Sequence, residues 1–265
     1  MQRKLPWIAL AVLIVAGALA YYIWQAARQP ATAPTAAPEQ TPAPLPAVTA
    51  TPAKHYPIEL APTPTVALPP LEASDATIGE ALLQLLGGKS LPSFLYAKSL
   101  IRRIVATIDN LPRRNAPRRM MPFKPVEGSF AVARSDGEMA IDPGNYSRYE
   151  GYVRVLRGVD ASKLVDLYAR LYPLFQQAYS ELGYPKGHFN DRLVEALDDL
   201  LAAPDVPAPV RILQPKVLYE YADPELEGRS AGQRILIRMG SSNEAQVKLA
   251  LKAIRSELMR RISVK

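Results

Sequence analysis

Six arginines between positions 102 and 119 are the side chains in this chain best placed to do chemistry. Arg102 and Arg103 lie on a stretch with helical spacing. Arg113, Arg114, Arg118 and Arg119 crowd a segment broken by Pro112, Pro117, Pro122 and Pro125. Guanidinium forks bind carboxylates and phosphates through two parallel hydrogen bonds, so the cluster reads as a recognition surface for an anionic ligand. The same arginines also read as ion-pair stitches to Asp142, Glu150 or the acids between Asp223 and Glu227. Asp109 stands between the helix and the loop, where it is expected to orient the loop.

Catalytic constellations are mostly eliminated. The chain has no cysteine, which excludes disulfides, thiolate metal sites and thiol nucleophiles. Of its two histidines, His55 lies in a Pro-rich stretch and is read as neither ligand nor base. A metal site or a Ser-His-Asp triad would have to use His188, which stands in a Gly187-His188-Phe189 turn with no motif around it. No HExxH, GxSxG or phosphate-loop pattern surrounds any nucleophile. His188 therefore reads as a structural or solvent-facing turn residue, and neither metal nor cofactor is expected. A carboxylate-dependent hydrolase is the alternative, because glycoside hydrolysis needs only two separated acids. Asp109, Asp142, Glu150, Asp191 and Glu220 are its candidates, and beside so many arginines they read as ion-pair partners. Asp198 and Asp199 read as a solvated helix face.

Positioning comes from two dissimilar halves. The run from Leu5 through Trp24 is uncharged and apolar, and at about 1.5 Å per residue it spans a bilayer core of roughly 30 Å. Trp7 sits at one end, and Tyr21, Tyr22 and Trp24 at the other, as expected of interfacial aromatic belts. Arg3 and Lys4 precede it, which predicts a cytoplasmic N-terminus and an exported remainder in a single-pass inner-membrane protein. Ala18-Leu19-Ala20 offers a cleavage site for the competing reading as a secretory signal, but the apolar run continues past it. Residues 1–29 thus read as a signal-anchor and 30–70 as a disordered Pro/Ala/Thr-rich linker. In polyproline II such a linker reaches on the order of 100 Å. Residues 71–265 read as the folded extracytoplasmic domain.

Within that domain the expectation is a mostly α (α+β) fold, a compact helical domain carrying a small β-hairpin. Ser74-Asp75 reads as an N-cap for a short helix ended by Gly87-Gly88. A second helix is expected from Ser93 to Asn110, stopped by Pro112. Phe130 and Val132, a Ser135-Asp136-Gly137 turn, then Met139 and Ile141 predict a hairpin. Asn145 reads as a cap for a helix ending near Gly158. The strongest period runs from Asp160 to Leu182, where Pro173 should kink the helix or start a second segment. Asn190, flanked by Phe189 and Val194, reads as the next cap. Residues 210–221 suit strand, with Pro215 as an edge or interruption. Residues 230–239 suit a short helix or a strand, with helix preferred, and Ser241 to Glu244 form a capping-box pattern before a last long helix.

Several segments together carry a resemblance: TIDNLPRRNAPRRMMPFKP, NYSRYEGYV, LYPLFQQAYSELGYP, HFNDRLVEALDDLLAAP and QPKVLYEYADPELEGRSAGQRILIRMG. From about Leu71 onwards the chain resembles a bacterial family, domain of unknown function 3014. Its members are small envelope proteins with one N-terminal membrane span. The resemblance implies domain extent and an envelope location, and brings no activity, cofactor or catalytic residue. The formal net charge of +7 is a mild excess, compatible with an anionic partner but common to many domains without one. An exported domain rarely meets nucleic acid, so the expected partners are the inner membrane through the anchor and an envelope protein or anionic envelope polymer. The function expected is a non-catalytic binding or scaffold module.

Overall fold

The computed structural model describes residues 55–58, 67–88 and 93–262. The apolar run from Leu5 to Trp24 lies outside them, as does the Pro-rich stretch apart from 55–58 and 67–70. Among the described residues no helix is long and apolar enough to cross a membrane. Periodic apolar stripes yield the helices α1 (Ser74–Leu85), α2 (Leu100–Asn110), α3 (Gly144–Ser147), α4 (Glu150–Arg157) and α5 (Ala161–Glu181). They continue as α6 (Phe189–Leu201), α7 (Pro224–Glu227), α8 (Ala231–Arg238) and α9 (Ser241–Arg260). Four short strands, β1 (Val132–Ser135), β2 (Glu138–Ile141), β3 (Arg211–Leu213) and β4 (Glu220–Tyr221), form one antiparallel sheet in sequence order. The fold is mostly helical, as expected, and the expected hairpin is half of a four-stranded sheet.

The main core lies between α1, α2, α5 and α6. Ile101, Val105, Leu171, Phe175 and Phe189 are buried there together, and Phe175 and Phe189 stack at 5.6 Å. Asp160 caps α5 by accepting from the Lys163 N–H at 3.0 Å. Pro173 sits on the exposed side of α5, and the helix passes it without starting a second element. The β1–β2 turn places Asp136 and Gly137 at φ 51° and 79°. Positive φ at both central residues suits the right-handed twist of a two-residue hairpin. Pro215 falls in the loop between β3 and β4, the interruption expected of it. Ile141, Ile212 and Tyr221 bury one face of the sheet against Ile237 of α8.

Five local readings are corrected, three of them because a distant backbone group claims a candidate cap. A short polar side chain caps its own helix only if no distant backbone group needs it more. Residues 93–99 are not helical: the Tyr96 N–H donates to the Pro122 carbonyl (2.8 Å) and the Lys124 N–H to the Phe94 carbonyl (2.7 Å). The segment pairs with the returning loop, and α2 starts only after Ser99, at φ 53°. Asp75 does not cap α1; it accepts from the Ser99 and Leu100 N–H groups at 2.7 and 3.0 Å and so caps α2. Asn145 is buried inside α3, where its amide exchanges hydrogen bonds with Ala131 (2.9 and 2.7 Å). Asn190 likewise turns inward, donating to the Tyr56 carbonyl at 2.7 Å and accepting from the Tyr168 hydroxyl at 3.1 Å. The capping box does not form, because α9 begins at Ser241 behind Gly240, and Glu244 is buried against Lys248 at 2.7 Å.

Residues 55–58 fall within the stretch read as linker, yet they lie on the domain. The Tyr56 N–H donates to Asp191 Oδ1 at 2.7 Å. Ile58 bridges to Ile262 in antiparallel fashion. Tyr56 and Ile58 pack against Val165, Val194 and Leu258.

Candidate functional site: the arginine loop

The loop from Leu111 to Met121 is built outward from α2. Asp109, on the last turn of α2, is only 4 % exposed. It accepts from Arg113 Nη2 at 2.9 Å and from Arg192 Nε at 3.1 Å, so a buried carboxylate is matched by two guanidiniums. Arg113 also donates to the Tyr184 hydroxyl at 2.6 Å. Hydrogen bonds to Asp109 and then to Tyr184 hold Arg113 more firmly protonated than an ordinary arginine. Asp109 thus orients the loop, as expected.

The loop backbone is tied down elsewhere. Arg103 donates to the carbonyls of Arg119 (2.8 Å) and Met121 (3.1 Å), and its guanidinium lies 4.4 Å over the Tyr96 ring. The Thr107 hydroxyl donates to the Met120 carbonyl at 3.2 Å. The first amides of α8, on Ala231 and Gly232, donate to the Arg113 (2.7 Å) and Leu111 (2.9 Å) carbonyls. Orphan donors of a helix start are thereby spent on a neighbouring loop. Glycine at 232 allows this close approach, since a Cβ there would stand 2.6 Å from Leu200 Cδ2 and 3.3 Å from the Leu111 carbonyl, so Leu200 would have to shift. Arg234, itself paired with Glu227, donates to the Arg114 carbonyl.

The six arginines therefore divide. Arg102 pairs with Glu72 (2.8 Å) and Glu181 (2.9 Å), which hold it firmly protonated and pull the Glu72 carboxyl below its usual range. Arg103 and Arg113 serve the loop. Arg114, Arg118 and Arg119 are exposed, and among the described residues their side chains make no ion pair or hydrogen bond. The acids first matched to the cluster, Asp142, Glu150 and Asp223 to Glu227, pair with none of the six; Glu72, Glu181 and Asp109 do so instead. Sequence reasoning missed Arg192. Its signal is its position three residues after Phe189 and four before Ala196, on the buried side of α6.

The other candidates do not converge. His188 is exposed, with its ring 4.2 Å from that of His55, and His55 Nδ1 stands 2.9 Å from Asp191. Asp142 accepts from the Gly144 N–H at 2.7 Å. An open groove of about 420 Å³ lies between α4 and α9, lined by Glu150, Arg154, Arg157 and Gln246 among others, and Glu150 is its one carboxylate. That groove offers no pair of acids of the kind hydrolysis needs. Among the described residues no group of three His, Cys, Asp or Glu side chains could hold a metal ion.

No curated protein and no solved structure matches the chain. Residues 100–255, from the start of α2 into α9, match the family described as "Protein of unknown function (DUF3014)", a description that indicates no activity, and the chain belongs to that family.

Proposed function

We propose that this chain is a membrane-tethered, periplasmic binding module without catalytic activity, whose arginine loop recognises an anionic partner of the cell envelope. One observation carries the reading. Among the described residues, Arg114, Arg118 and Arg119 project without partners from a loop whose backbone is held by Arg103, Arg234, Thr107 and the start of α8. Structural arginines would be paired, as Arg102 and Arg113 are. A fixed backbone carrying free guanidiniums is instead pre-organised for a ligand, since little ordering remains to be done on binding. The apolar run from Leu5 to Trp24 supports the membrane attachment.

The test is a triple variant, R114Q/R118Q/R119Q, set beside the single variant R113Q. Exposed charges contribute only about 0–1 kcal/mol each, so the triple variant should melt close to the parent and lose in-cell crosslinking to its partner. R113Q removes one of two cations from buried Asp109 and should melt earlier. A triple variant that keeps the same crosslinked partner would overturn the recognition role.

A further inference from the structure

The six-residue connection between β3 and β4 is a second exposed surface, and it is apolar. Leu213, Val217 and Leu218 are 51, 86 and 67 % exposed. Between Leu213 and Tyr219 the only charge is Lys216. Both ends of the tip are held. Its far end is fixed by Tyr219, whose ring lies 5.5 Å from Phe130, and its near end by the pairing of Leu213 with Glu220. The side chains stand exposed at the end of the β3–β4 hairpin.

This tip and the arginine loop are tied to the same face of α8. Arg234 donates to the Arg114 carbonyl, and Arg238, one turn later, donates to the Tyr219 carbonyl at 3.2 Å. Residues four apart lie above one another on a helix. The backbone at Arg114 and the backbone at Tyr219 are thus anchored one turn apart on α8.

We infer that this joint surface docks on an anionic lipid bilayer, with Val217 and Leu218 entering the interface while Arg114, Arg118, Arg119 and Lys216 engage phosphate headgroups. The inference rests on the binding reading above and names its partner. Charge and exposure favour lipid over protein, because a bilayer interface accepts exposed apolar side chains beside basic ones. Basic residues gain in turn from the negative surface potential, which decays within a Debye length. The chain's own apolar run, Leu5 to Trp24, would keep a bilayer within reach, so even a weak surface contact would be populated through high effective concentration.

The absence of cysteine makes the test direct. The full-length chain carrying Val217→Cys, labelled with an environment-sensitive fluorophore, is reconstituted into vesicles of phosphatidylglycerol and phosphatidylethanolamine or of phosphatidylcholine alone. A Leu249→Cys label, on exposed α9, is the aqueous control. On anionic vesicles the Val217 label should shift to the blue and be quenched by acyl-chain quenchers at least threefold more than the Leu249 label. The effect should fall severalfold on phosphatidylcholine, in high salt and in R114Q/R118Q/R119Q. Val217 is so exposed that labelling leaves the core untouched, and Leu218→Asp supplies a second variant that should abolish quenching. A Val217 label that stays aqueous on both vesicle types overturns the inference, as does quenching that ignores the three arginines. If the label stays aqueous on lipid while the arginine variant still loses its crosslinked partner, the partner is a protein or polymer; the inference falls and the binding reading stands.

Discussion

At the scale of single residues, Asp109 does the most to hold the loop in place. It is buried beside two guanidiniums, and its own carbonyl accepts from Arg113 (3.0 Å) and Arg192. Asp109→Ala should cost about 3–5 kcal/mol, the usual penalty for stranding a buried charge, read as a lower urea midpoint at unchanged slope. Arg192 would keep Glu195 at 2.6 Å, which places the loss toward the lower end. A second residue-scale effect concerns pH. Burial pushes the phenols of Tyr168 and Tyr221 above their ordinary value, with Arg238 only partly opposing this at Tyr221. The folded state then keeps protons that the unfolded chain releases, so stability is full below about pH 10 and declines as pH rises beyond it. Tyr221→Phe should lose roughly 1 kcal/mol at neutral pH with its 2.8 Å bond to the Arg234 carbonyl. Its stability should also fall less steeply above pH 10 than the parent's, as measured by chemical unfolding across that range.

At the scale of elements, the long amphipathic helices were legible because burial and periodicity agree. In α5, Leu167, Leu171, Leu174, Phe175 and Ala178 recur at helical spacing and all face the core. The hairpin turn was legible too, since Asp-Gly chemistry is local. What stayed hidden depends on partners remote in sequence. Phe94 and Ala97 fit a helix until Phe123 and Tyr152 supply a better place for the Phe94 ring, at 6.3 and 4.3 Å. Asp75, Asn145 and Asn190 carry local cap signatures but answer to Ser99, Ala131 and Tyr56. The arginine cluster was visible from its density; which three arginines stay free was not, because Glu72 and Glu181 reach Arg102 from separate elements. The clip at 55–58 escaped for the same reason. Its Tyr56 and Ile58 cover Val165, Val194 and Leu258. A chain starting at residue 53 and one starting at residue 71 should both unfold cooperatively. The longer one should be about 1–3 kcal/mol more stable, from the apolar area that the clip removes from water. Equal melting temperatures would show that the clip adds no stability.

At the scale of the whole molecule, the charge asymmetry of the N-terminus bears on the topology of the membrane attachment proposed above. Arg3 and Lys4 precede the apolar run and Arg28 follows it, so the bias toward cytoplasmic cations is small and the first flank decides. The expected topology is a cytoplasmic N-terminus with the domain on the other side and the anchor retained. A Leu249→Cys chain, unique in its thiol, should react with a membrane-impermeant maleimide once the outer membrane is opened and the inner membrane left intact. Carbonate extraction should leave it in the membrane fraction, and sequencing should find the N-terminus upstream of Leu5. Labelling that requires lysis of the inner membrane would reverse the orientation. A mature N-terminus at Tyr21 would establish a cleaved signal and a free domain, for which the lipid surface would have to be found without a tether.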